Sequence, residues 1–153
     1  MKQEILSRQK IGLRLSRIGL LSKIFAIQTF VLNKFEITPE QFTVLNTLKE
    51  NNGMYLRQLA QETLKDRPNM TRIVSILESQ NYLTVETDKE EGRMVKKLYI
   101  TKSGIKVCSK ALPTILNMWE NISKNIPEEE IDKFLITLDK LEENLKEKVI
   151  MQN

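Results

Sequence analysis

The sequence predicts a mainly α fold carrying one small β-hairpin, and three observations predict it. Residues 66–80 place Met70, Ile73, Val74 and Leu77 on one stripe at spacings of three and four, the period of a helix with a single buried face. After Asn81 the period changes to two: Leu83 and Val85 alternate with Thr84 and Glu86, then Leu98 and Ile100 with Lys97 and Tyr99, as in two strands that bury one face. Long apolar stripes also recur at helical spacing at both ends of the chain, covering more surface than one small lobe can bury.

The first element is a helix from about Gln3 to Phe35 with two neighbouring stripes. One is Ile11, Leu15, Ile18, Leu21 and Phe25; the other is Leu13, Leu20, Ile24, Ile27 and Val31. A partner on each side is implied. Thr38-Pro39-Glu40-Gln41 starts the second helix, with Thr38 as cap, Pro39 in the first turn and Gln41 reaching back to close a capping box. Phe42, Val44, Leu45 and Leu48 supply its buried face, and Asn51-Asn52-Gly53 ends it. Met54-Tyr55-Leu56 is a brief extended segment, followed by a short helix over roughly 57–64 that carries Leu59, Ala60 and Thr63.

Lys65-Asp66-Arg67-Pro68 is a turn, with Asp66 capping the next helix. Turned at about 100° per residue, that helix sets Pro68, Arg72, Ser75 and Ser79 opposite its apolar stripe, with Asn69 and Thr71 on the flanks. Two short helices joined by a tight turn, the second polar outside, make a helix-turn-helix. The outer face can enter a nucleic-acid groove, Arg72 reaching guanine edges or phosphate and Asn69, Thr71 and Ser75 offering shorter bonds. It suits an ordinary solvated surface equally well. The hairpin that follows is then a wing, with Asp88 to Arg93 as its charged tip. Arg93 is the candidate for a minor groove, with Lys89, Lys96 and Lys97 as phosphate contacts. Glu86, Asp88, Glu90 and Glu91 make the same hairpin locally acidic.

Thr101 caps the next helix, whose stripe runs through Cys108, Ala111, Leu112, Ile115, Trp119 and Ile122, and Pro113 inside it should kink it near Lys110 to Leu112. Pro127 and three glutamates start the last helix, and Ile131, Phe134, Leu138, Leu141 and Leu145 form a seam like one side of a helix pair.

Charge and composition narrow the function. The 24 Lys and Arg against 20 Asp and Glu give +4, which permits an anionic partner. Residues 1–38 carry seven positive and two negative groups, residues 39–110 twelve and nine, and residues 111–153 five and nine; the acidic C-terminal part is a poor surface for nucleic acid. With no histidine and the single Cys108, Ser-His-Asp and Cys-His nucleophiles, imidazole zinc sites and intrachain disulfides are excluded. The five scattered glycines form no phosphate loop. No enzyme activity and no cofactor are expected. Charged residues interrupt the N-terminus as a signal peptide, and the apolar run Ile18 to Leu32 falls short of the roughly 20 residues that span a bilayer. A cytoplasmic protein with no membrane partner is expected.

The order helix, helix, short strand, helix, helix, hairpin, long helix, helix resembles the MarR family of bacterial winged-helix transcription regulators. Thr38-Pro39-Glu40-Gln41-Phe42-Thr43-Val44-Leu45, Gln58-Leu59-Ala60, the run Asp66 to Glu78, and Leu98-Tyr99-Ile100-Thr101 leading into Gly104 carry the resemblance by their order and spacing. It implies one domain over 1–153, with a winged helix-turn-helix DNA-binding lobe at 36–104 and dimerisation helices at 1–35 and 105–153. It implies a homodimeric repressor on a pseudo-palindromic operator of double-stranded DNA, with Pro68, Asn69, Thr71, Arg72 and Ser75 in the major groove and Arg93 in the minor groove; Lys96, as a phosphate contact, completes the expected DNA-binding set. A small aromatic ligand between the dimer helices and the lobe, lined by Phe25, Met118 and Trp119, would release the DNA. The wing departs from the family pattern: Lys89 and Gly92 stand where aspartates brace the arginines, and Met94 where a second Arg is common. Family members that sense thiol oxidation use a cysteine near the N-terminus, and this chain has none there. From the residues alone, a winged-helix module that binds a protein partner stays open as the alternative.

Overall fold

The computed structural model describes the backbone of residues 2–90 and 92–149 and the side chains of 8–90 and 92–149. Its elements run α1 (Lys2–Leu32), α2 (Pro39–Glu50), β1 (Met54–Tyr55), α3 (Leu56–Glu62), α4 (Arg67–Ser79), β2 (Leu83–Glu90), β3 (Arg93–Ile100), α5 (Lys102–Ser123) and α6 (Glu128–Lys146). The strands form one antiparallel sheet in the order β1-β3-β2. The chain divides into two compact units, residues 1–111 and 112–153.

In the first unit the core sits where α2, α3 and α4 meet the inner face of the sheet. Val44, Leu45, Leu48, Leu59, Met70, Ile73, Val74, Leu77, Leu83 and Leu98 are all buried. The α2 start is formed as its sequence predicts: Thr38 Oγ1 accepts the Gln41 N–H at 3.2 Å and Gln41 Oε1 accepts the Thr38 N–H at 2.8 Å. That reciprocal bond draws Gln41 inside. Phe42, expected on the buried face, is only half-buried; it meets Phe30 edge-on, with ring centroids 6.1 Å apart, and Phe30 meets Phe35 at 5.1 Å. These rings tie the end of α1 to α2.

Gly53, at φ +85°, turns the chain into β1 while its N–H reaches the Leu98 carbonyl. α3 ends at Glu62, two residues before the expected limit, because Leu64 adopts φ +51° and starts the turn. The hairpin also differs from expectation. Its ladder continues through the charged segment to the pair Glu90↔Arg93, so the strands extend up to the turn at Gly92. Gly92 takes φ +78°, and residue 91 lies outside the described residues.

α5 runs unbroken through Pro113. The division between the units falls between Ala111 and Leu112, beside the place where proline's missing N–H leaves the Ser109 carbonyl without its helical donor. Val107, Cys108 and Ala111 of the first turns are buried. In the second unit, Ile131, Leu138 and Leu141 of the expected α6 seam are half-buried, while Phe134 and Leu145 are exposed.

α1 exposes both of its stripes: Ile11, Leu13, Ile18, Leu20, Leu21, Ile24, Phe25, Ile27 and Val31 all face outward. By length and composition alone, its 25-residue stretch Arg8–Leu32 is apolar enough to cross a membrane. The sequence-based expectation that the run is too short is corrected on this point, since Ser22, Gln28 and Thr29 interrupt the apolar residues without lowering the average enough.

Candidate nucleic-acid interface

The helix-turn-helix is built by two local devices. After α3, the Lys65 N–H donates to the Ala60 carbonyl at 2.9 Å across the left-handed Leu64. Asp66 then caps α4, its Oδ1 accepting the Asn69 N–H at 2.8 Å, with Pro68 in the first turn. Glu40 holds this turn against α2 through Lys65 Nζ at 3.4 Å and reaches Lys23 Nζ on α1 at 3.6 Å.

With Met70, Ile73, Val74 and Leu77 buried, α4 has one orientation on the lobe and one outward face. Pro68, Thr71, Arg72 and Ser75 are exposed on it, and Asn69 is half-buried. The polar groups are already organised. Arg72 Nη2 donates to Asn69 Oδ1 at 3.1 Å, which steadies the guanidinium, and Thr71 Oγ1 donates to the Arg67 carbonyl at 2.9 Å. The Thr71 hydroxyl is thereby committed as a donor and keeps its lone pairs to accept a bond, on a residue that stays exposed.

On the hairpin, side-chain parity separates the candidate cations. Arg93 and Lys97 lie on one face with Glu86, Asp88 and Glu90, whereas Lys96 and Lys89 lie on the other with Leu98 and Val85. Arg93 and Lys96 are exposed. Lys97 is half-buried, with Nζ 5.6 Å from the Tyr55 ring centroid and 5.9 Å from that of Tyr99. The Tyr99 hydroxyl bond is the main cause that raises the Lys97 pKa above its ordinary value.

Two links across the unit escaped the sequence reading. Tyr55 OH donates to Asp88 Oδ2 at 3.0 Å, and Tyr82 OH donates to Glu36 Oε2 at 2.9 Å. Both phenols are pushed above their ordinary pKa, first by the carboxylate that accepts the proton bond. Each joins residues more than thirty positions apart, and no local pattern announces such a pair.

A cleft of about 610 Å³ opens between the end of α1, the α1–α2 connection and α4. Ile27, Phe30 and Phe35 give it an apolar wall, and Lys34 and Arg72 stand among its polar lining. None of the three residues expected to line a ligand space borders it: Phe25 is exposed on α1, while Met118, buried, and Trp119, exposed, belong to the second unit.

A model of the MarR family matches residues 35–94, the segment that holds the helix-turn-helix and the hairpin. An uncharacterised HTH-type transcriptional regulator of Bacillus subtilis, YybA, is 29% identical over 94 residues. That match takes in 61% of this chain and 62% of YybA, so the chain spans under two thirds of the length of the curated relative it matches. Over residues 35–94 the chain is similar to the MarR family. Two solved structures extend the likeness in fold over most of the chain. The Staphylococcus aureus MepR–DNA complex superposes with a TM-score of 0.73 at 23% identity, covering 88% of this chain and 96% of MepR. The PcaV regulator of Streptomyces coelicolor, with its natural ligand, superposes with a TM-score of 0.71 at 21% identity, covering 87% and 92%.

Proposed function

We propose that the chain is a cytoplasmic, homodimeric, sequence-specific DNA-binding regulator of transcription, acting as a repressor on a pseudo-palindromic operator. The observation that carries this reading is the outer face of α4, where Asn69 holds Arg72 upright on a helix whose other face is fully committed to the core. A guanidinium already held through one Nη2 hydrogen loses less freedom when its remaining donors bond to guanine. Pro68, Thr71 and Ser75 complete the major-groove face. Arg93 and Lys96, on opposite faces of the hairpin, suit a wing that enters the minor groove edge-on and meets one wall with each cation. The relative named as an HTH-type regulator and the MepR structure solved with DNA support the assignment.

The cleft beside α4 supports release by a small aromatic ligand. Its volume falls within the usual range for small-molecule sites, and Arg72 belongs to both its lining and the outward face of α4. In this reading the ligand sits there rather than among Phe25, Met118 and Trp119.

Selection of duplexes by the protein from a random-sequence pool, followed by gel shifts at rising salt, tests the function. Enrichment of one inverted motif, bound more tightly than random DNA at every salt concentration, is the expected result. Recovery of no motif, with weak binding that salt abolishes equally for every duplex, would refute sequence-specific recognition and favour a protein-binding winged helix.

A further inference from the structure

Asp88 stands where the sheet narrows from three strands to two. β1 pairs with β3 only at Met54↔Leu98 and Tyr55↔Lys97. Beyond those rungs the hairpin continues alone through Thr87↔Lys96, Asp88↔Val95, Lys89↔Met94 and Glu90↔Arg93. A two-stranded ribbon has little stability of its own and twists more than a wider sheet, so the direction of its tip depends on what else holds it.

The Asp88 carboxylate is tied at both oxygens. Oδ1 accepts the Lys89 N–H at 2.8 Å, and Oδ2 accepts the Tyr55 hydroxyl at 3.0 Å. Tyr55 in turn is fixed to the helix-turn-helix: it immediately precedes α3, and its N–H donates to Gln58 Oε1 at 3.0 Å. Its ring lies beside the Lys97 ammonium. The bonds from Lys89 and Tyr55 hold the Asp88 carboxyl below the ordinary range, so the acceptor stays charged at neutral pH. By strand parity Asp88 shares its face with Arg93, its diagonal neighbour two positions along β3 from Val95.

We propose that Tyr55 and Asp88 form a latch that sets the angle of the wing relative to α3 and α4, so that Arg93 is presented to DNA while α4 is seated. Tyr55 is then a positioning residue for recognition and makes no contact with DNA itself. The proposal rests on the reading that the wing contacts DNA.

Tyr55→Phe removes only the hydroxyl, keeps the ring beside Lys97 and changes no charge, so it leaves non-specific attraction to phosphates intact. In the free full-length protein, amide hydrogen exchange at positions 89, 90 and 92–95 should speed up about 3–10-fold, the worth of one hydrogen bond, with α2 and α4 unchanged. Affinity for the duplex selected above should fall by about 3–10-fold, but by less than about 2-fold when Arg93 is already alanine, because a latch that aims Arg93 has nothing left to aim. Unchanged exchange at the tip overturns the latch, whatever the DNA result. Faster exchange with the same loss in both backgrounds, or with no loss while Arg93→Ala weakens binding, overturns the positioning role. If Arg93→Ala itself leaves affinity unchanged, the wing reading fails, and the role of the latch in recognition fails with it.

Discussion

At the scale of single residues, Arg72 and Cys108 illustrate opposite uses of one helical periodicity. Arg72 points away from the core stripe and is held by Asn69. Its replacement by alanine should therefore weaken binding to the selected duplex by about 1–3 kcal/mol while the dimer persists in sedimentation. Equal loss on selected and random duplexes would reassign it to phosphate. Cys108 points inward and is 1% exposed. Burial pushes its thiol up from an ordinary value near 9 to about 11, with Lys49 pulling weakly the other way. Native protein should accordingly react slowly with thiol reagents at pH 7 to 8. A folded-state pKa above the unfolded one favours the native state most at low pH. The contribution is complete below about 9 and is lost as pH rises towards 11, in total up to about 2–3 kcal/mol. Denaturant titrations across that window should show wild type losing more stability than Cys108→Ala, and parallel losses would count against the buried thiol.

Among the elements, hairpin and α5 are joined by a short chain of hydrogen bonds through Thr101. The Thr101 N–H reaches the Tyr82 carbonyl at 3.1 Å, Thr101 Oγ1 donates to the Asn81 carbonyl at 2.7 Å, and the Gly104 N–H returns to Thr101 Oγ1 at 3.1 Å. A Cβ on Gly104 would come within 2.1 Å of the Tyr82 oxygen. Gly104→Ala must therefore push α5 off the lobe, and its thermal midpoint should drop as for a cost of at least about 2–3 kcal/mol. A midpoint within a degree or two of wild type would contradict this packing. The same junction shows what a sequence can and cannot announce. Thr101 and Asp66 as caps, the Thr38–Gln41 box and the Met70–Leu77 stripe were legible because each is written in steps of four residues or fewer, the reach of one helical turn. Tyr55–Asp88, Tyr82–Glu36 and the cleft by Phe30 were not, because their partners meet only after the sheet and helices have packed. Even the tip of the hairpin was misplaced by its charges, since strand pairing tolerates Asp88, Lys89 and Glu90 wherever both faces meet water.

For the whole molecule, the exposed apolar surface of α1 and α6 predicts the assembly. Leu13 is 76% exposed and Leu20 64%, and Phe134 and Leu145 are more than half exposed on α6. Stripes of this kind mark a surface that meets a partner, and in a twofold pair each copy offers its partner the same stripe. Sedimentation equilibrium should give a dimer for wild type and a shift towards monomer or aggregate for Leu20→Glu combined with Phe134→Glu; an unshifted dimer would place the interface elsewhere. Selected duplexes should then carry two inverted half-sites about 10 base pairs apart or a multiple of it. The double placement of Arg72, bordering the cleft and facing outward from α4, has a thermodynamic consequence. On the proposed function, an acidic ligand in the cleft and a guanine edge would compete for one guanidinium, and the two partners would be linked through a single side chain. Linkage is reciprocal: whatever factor a small phenolic acid takes from DNA affinity, saturating DNA must take from the affinity for that acid, and calorimetric titration of free and DNA-bound protein would read the same ratio from either side.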